Sequence, residues 1–141
     1  MKVLLVEDNL AITKELTELL QAIPGTDVVL TTPTARQASD WLATHPRDWD
    51  LAVVDLFLKE GHGFEVLRNC IPQRPGQMVV VLSNYTRDPV RQYARAAGAD
   101  AFFDKSCEMD EFREFVAQHA TGCLRWDDAS AGTPGRWPAC A

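Results

Sequence analysis

No apolar stretch in this chain of 141 residues approaches the roughly 20 residues that a membrane-spanning helix needs. The opening Met1-Lys2-Val3-Leu4-Leu5-Val6 starts like a signal peptide. Glu7 and Asp8 then interrupt it, and no small-residue cleavage site follows. Basic residues are too few: 14 Lys and Arg against 20 Asp and Glu leave a net charge of −6, the wrong sign for a surface that binds phosphate backbones. Cys70, Cys107, Cys123 and Cys140 form no C-x-x-C pair and have no histidine at ligand spacing, which argues against zinc. In a reducing compartment they are free thiols, with a Cys123–Cys140 link left open. Internal repeats and low-complexity blocks are also missing. These absences leave a cytoplasmic globular protein with neither nucleic acid nor membrane as partner. At 15.7 kDa, 46% apolar and 24% charged, it has one domain's worth of chain.

What is present is an alternation of short apolar runs with helical stripes. Lys2 to Val6 reads as a strand. Asn9 is a good cap for a helix carrying Ile12, Leu16, Leu19, Leu20 and Ile23 at three- and four-residue steps, stopped by Pro24-Gly25. Asp27 to Thr32 is a second strand, and Thr34 to His45 a second helix that turns Ala35, Ala38, Trp41 and Leu42 inward and ends before Pro46. Leu51-Ala52-Val53-Val54 runs without polar interruption, as strands covered on both faces do, and it ends on Asp55 before a loop holding Gly61 and Gly63. A short helix through Phe64, Val66, Leu67 and Ile71 ends at Pro72. Gln77 to Leu82 is the fourth strand, closed by Ser83, and Asp88-Pro89 open a helix that Gly98 stops. Ala101-Phe102-Phe103 and a helix from Met109 to Ala120, with Phe112, Phe115, Val116 and His119 in register, complete the set. Five strands alternating with five helices predict an α/β fold, a doubly wound five-stranded parallel sheet of flavodoxin-like form. Residues 1–120 make the domain. Residues 121–141, with Trp126 and Trp137, lose periodicity and form a tail without its own core, expected to pack on the domain or on a neighbouring subunit.

In a parallel sheet the carboxyl ends of the strands share one edge, where open α/β folds place their chemistry. Alone, Asp55 would be an ordinary strand-end carboxylate. Here the first strand also brings Glu7 and Asp8 to that edge, the fourth Ser83 and the fifth Lys105. Crowded carboxylates repel one another and raise each other's pKa, so such a cluster suits a hard cation such as Mg²⁺. A lysine and a hydroxyl beside it can hold the oxygens of a phosphoryl group on an aspartate.

The ordered set of Val6-Glu7-Asp8-Asn9, Val53-Val54-Asp55-Leu56, Gly63 eight positions after Asp55, Ser83, Ala97-Gly98-Ala99-Asp100-Ala101, Phe102 and Lys105 resembles the response-regulator receiver domain of two-component signalling over residues 1 to about 120. The resemblance implies that Asp55 accepts a phosphoryl group from a histidine kinase or phosphotransfer protein, as a phosphoprotein or phosphorelay component. It implies Mg²⁺ held by Asp8, Asp55 and the backbone carbonyl of Phe57, with Glu7 acting mainly through water. Lys105 would pair with Asp55 and then with the phosphoryl oxygens, Ser83 would hydrogen-bond them, and Phe102 would swing inward to reshape the surface of the fourth helix, fifth strand and fifth helix.

Three positions depart from the family pattern. Lys59 replaces a proline often found four residues after the acceptor, Ser106 replaces the usual proline after the lysine, and Asn84 stands where a small residue commonly leaves room for the phosphoryl group. Phe57 and Tyr85 occupy the positions that control water's access to the acyl phosphate, and their rings would slow self-hydrolysis. The chain is expected to be a phospho-acceptor rather than an enzyme with a separate substrate. An aspartate-nucleophile phosphatase would want an acid two residues past the nucleophile, and Phe57 is there. With only 21 residues after Ala120, output is expected through a downstream partner protein, a phosphorelay or a homodimer. The alternative is a receiver-like interaction module that works without phosphorylation.

Overall fold

The computed structural model describes residues 1–70, 76–84, 87 and 89–120. Its strands are β1 (Lys2–Val6), β2 (Asp27–Thr32), β3 (Leu51–Val54), β4 (Met78–Ser83) and β5 (Ala101–Asp104), and its helices α1 (Leu10–Gln21), α2 (Ala35–Thr44), α3 (Gly63–Asn69), α4 (Val90–Ala96) and α5 (Met109–Ala120). All the strands pair in parallel, in the order β2-β1-β3-β4-β5. This is the doubly wound arrangement that the alternation of strands and helices predicts. Order reverses between β1 and β3, so the two strands that carry the acidic residues lie side by side at the switch point.

Two apolar layers clamp the sheet. Val3, Leu5, Val53, Val80 and Phe103 face one layer with Leu16 and Leu20 of α1 and Phe112, Phe115 and Val116 of α5. Leu4, Val6, Val54, Val81 and Phe102 face the other, with Ala38 and Leu42 of α2, Val66 and Leu67 of α3, and Ala94 of α4. Alternate strand residues point to opposite faces, which is why continuous apolar runs fill both layers at once. Trp49, in the connection before β3, is among the most deeply buried side chains. Gln77 holds that connection by donating its side-chain amide to the carbonyls of Trp49 (2.8 Å) and Pro46 (3.2 Å). It therefore precedes β4 rather than starting it.

Helix starts follow local chemistry. Asn9 Oδ1 accepts from the N–H groups of Ala11 and Ile12 at 3.0 and 3.2 Å, and Thr34 Oγ1 from that of Gln37 at 3.2 Å, as N-caps do. Pro89 is itself the N-cap of α4 and does not lie within its first turn. Its expected companion Asp88 and the tail with Trp126, Trp137, Cys123 and Cys140 lie outside the described residues, and α3 ends at Asn69 with Cys70 as its C-cap, short of the expected Ile71-Pro72. Cys70 is buried and free, with its thiol pKa pushed up to about 12 by burial, and Cys107 is free and exposed. Among the described residues no helix is long and apolar enough to cross a membrane.

Candidate functional site

Val6 is in register with Val54, and the Asp55 N–H donates to the Val6 carbonyl at 3.0 Å. Glu7 and Asp55 therefore leave the sheet next to each other, with Asp8 following. Each of the three acids places a carboxylate oxygen within 4.8 Å of the other two. Lys105 enters from the far side of β4, its N–H donating to the Ser83 carbonyl at 3.1 Å. Its ammonium lies 3.0 Å from Asp55 Oδ2 and also pairs closely with Glu7 Oε2. Only 9% of the Lys105 side chain is exposed, so both pairings are sheltered from the screening that weakens surface ion pairs.

Glu7 is held at both carboxylate oxygens, Oε2 by the Lys105 ammonium. Its other oxygen accepts from the Asn9 N–H at 3.1 Å. Burial, the largest influence, pushes its pKa above the ordinary glutamate range, and the nearby Asp55 charge adds to this. The Lys105 hydrogen bond and charge, and the Asn9 N–H, pull the other way. Three carboxylates against one ammonium leave the cluster with negative charge in excess. Their hard oxygen donors fit a divalent cation such as Mg²⁺, which would balance that excess.

The loop after Asp55 is built around Gly63. A Cβ there would lie 2.3 Å from the Asp55 carbonyl oxygen, so only glycine lets α3 begin against the Asp55 backbone. The Gly63 N–H donates to the Leu56 carbonyl at 2.8 Å. Phe57, 47% exposed, donates its N–H to Asp55 Oδ1 at 3.3 Å, and its ring stands at the rim. Ser83 is fully buried at the end of β4, and Asn84 is exposed beside it. Tyr85 lies outside the described residues. Phe102 is wholly buried in the layer on the α2, α3 and α4 side, so its ring already occupies the inward position.

Several partners were not read from the sequence. The Lys59 N–H donates to Asp8 Oδ2 at 2.5 Å; the only signal was that lysine stands where proline was expected. The Arg91 guanidinium lies 4.8 Å from the centroid of the Phe102 ring and 3.8 Å from Glu108, tying α4 to the loop before α5. Nothing in the spacing of Arg91 marks it out from Arg95, the other arginine of α4.

The sequence matches the family described as "Response regulator receiver domain" over residues 3–117. It is 30% identical over 131 residues to the DNA-binding transcriptional activator DevR/DosR of Mycobacterium tuberculosis (strain ATCC 25618 / H37Rv), covering 92% of this chain and 59% of that protein. The chain thus spans well under two thirds of that relative's length. Among solved structures, it is similar to the response regulator domain of Thermotoga maritima CheB, with a TM-score of 0.72, 20% identity, and 86% of this chain and 96% of that one covered. It is also similar to a chain in the CheX-CheY-BeF3-Mg+2 complex from Borrelia burgdorferi, with a TM-score of 0.71, 20% identity, and 87% and 88% covered.

Proposed function

The chain belongs to the response regulator receiver domain family, and from that premise we propose that Asp55 accepts a phosphoryl group in a Mg²⁺-dependent reaction. The donor is a phosphohistidine on a histidine kinase or phosphotransfer protein. The observation that carries this reading is the Asp55 carboxylate held 3.0 Å from the Lys105 ammonium, in a pocket it shares with Glu7 and Asp8.

In the transfer, an Asp55 oxygen attacks phosphorus, the P–N bond to the donor imidazole breaks, and its electron pair returns to the ring nitrogen. Lys105 neutralises charge on the acceptor before transfer and on the phosphoryl oxygens after it, from a buried position where such stabilisation is strong. Mg²⁺, when bound by Asp8, Asp55 and the Phe57 carbonyl, supplies further neutralisation of the phosphoryl oxygens. The Borrelia neighbour's name includes Mg+2, which supports that choice of ion. Ser83 hydrogen-bonds the transferred group, Asn84 stands over it, and Phe57 at the rim keeps water from the acyl phosphate. The product stays on the protein's own side chain, so the chain is a phospho-acceptor and not an enzyme turning over a second substrate. Its output is a change at the α4–β5–α5 surface, read by a protein partner or a second copy. The net charge of −6 favours such a partner over nucleic acid for these residues.

Intact mass after incubation with Mg²⁺ and acetyl phosphate tests the acceptor. Wild type gains the mass of one HPO₃ group, and Asp55→Asn or omission of Mg²⁺ abolishes the gain. Followed after donor removal, Phe57→Asn loses the group faster than wild type. An unmodified wild-type mass would instead support the phosphorylation-independent module.

A further inference from the structure

We infer that the main-chain amide of Lys59 positions the metal-binding carboxylate of Asp8. The inference rests on the proposed Mg²⁺ site and adds a residue to it. Asp8 is half-buried, next to two other carboxylates. An ionised side chain there lowers its energy by rotating away from its neighbours, and a ligand free to rotate must be ordered again whenever a cation binds. The Lys59 N–H, 2.5 Å from Asp8 Oδ2, opposes that rotation. It makes a charge-assisted bond to one oxygen and leaves Oδ1 without this restraint. Outer partners of this kind orient metal ligands and tune affinity.

The donor is itself fixed. The loop carrying it is tied at the Gly63 N–H to Leu56 carbonyl bond (2.8 Å), at the Ala35 N–H to Glu60 carbonyl bond (3.3 Å), and by an antiparallel bridge between Phe57 and His62. Gly61, with φ +79°, makes the turn that closes this loop. The Lys59 side chain is exposed and plays no part; the contact is the amide alone. Proline, which the family often carries at this position, has no N–H to give. The replacement by lysine therefore adds a restraint on the metal ligand that proline-bearing relatives lack, and it couples the β3–α3 loop to the cation.

Calorimetric Mg²⁺ titration of the full chain, with Lys59→Ala and Lys59→Pro, separates amide from side chain. Lys59→Ala keeps the N–H and binds Mg²⁺ within about twofold of wild type, whereas Lys59→Pro binds about three- to tenfold more weakly, the range of one net hydrogen bond. Amide hydrogen exchange in metal-free protein is the second readout: the Lys59 N–H is protected in wild type and loses protection in Asp8→Ala. Equal affinity of Lys59→Pro and wild type, an Ala variant as weak as the Pro variant, or an unprotected Lys59 amide in wild type each overturns the inference alone. A wild type that binds no Mg²⁺ overturns the proposed metal site and the inference together.

Discussion

β3 buries Leu51, Ala52, Val53 and Val54 with no charge among them, and the next residue, Asp55, joins two further carboxylates around a lysine. One strand thus passes within a single residue from the most apolar part of the molecule to its most crowded electrostatic site. In the middle of the sheet every contact lowers the free energy of the folded state, because alternate side chains fill two layers with matching surface. At the rim the fold holds like charges together that water would separate. The difference teaches that stability and site chemistry are drawn from adjacent but separate stretches of the same strands: the apolar layers hold together a rim whose crowded carboxylates work against the fold.

The comparison can be broken first from the apolar side. Phe103 is fully buried and meets Phe112 and Phe115 edge-on, with ring centroids 5.7 and 5.6 Å away. Phe103→Ala removes the ring that joins β5 to α5 and is expected to cost ~3–5 kcal/mol in chemical denaturation. A loss under ~1 kcal/mol would mean that this layer does not carry the load assigned to it.

Substitution at the rim should have the opposite sign. Asp8→Asn keeps an oxygen for the Lys59 N–H and removes one of three crowded charges, so the metal-free variant should be more stable than wild type by on the order of 1 kcal/mol. Adding Mg²⁺ reverses the ranking, because only the protein that binds the ion gains stability by mass action. Thermal melts with EDTA and with Mg²⁺ read both signs. A variant less stable than wild type in EDTA would show that the carboxylates do not oppose the fold.

The same division decides what could be read from the chain before any coordinates. The alternation of apolar runs and helical stripes was enough for the five strands, the five helices and their parallel order, because period and burial are local properties. Lys105 and Asp55 could be paired only through the ordered set of strand ends, since no local rule joins residues 50 positions apart. Trp49 was missed as a core residue because it lies in a connection without periodicity, whose backbone is held by Gln77 reaching back to the Trp49 carbonyl. Arg91 over Phe102 and the Lys59 amide on Asp8 were hidden for a related reason. Each is a contact between elements, and the Lys59 contact uses a backbone group that every residue except proline carries.

The finest test of the division between layers and rim is the pH dependence of Glu7. Its pKa in the folded protein is raised, with burial as the largest cause, so the native state keeps this proton after the unfolded chain has released it. The stability this provides is fully present below the ordinary glutamate value, about 4.3. It is lost as pH rises from there through the higher folded value, and above that the deficit is constant. Glu7→Gln, which cannot ionise and keeps an oxygen for the Asn9 N–H, escapes the loss. In EDTA its melting temperature relative to wild type should therefore climb as pH rises from the ordinary glutamate value through the higher folded one, by less than the gain from Asp8→Asn, because Lys105 gives up one of its two partners. A difference that stays level or shrinks over that range would mean that Lys105 compensates the buried charge fully, and that the rim opposes folding through Asp8 and Asp55 alone.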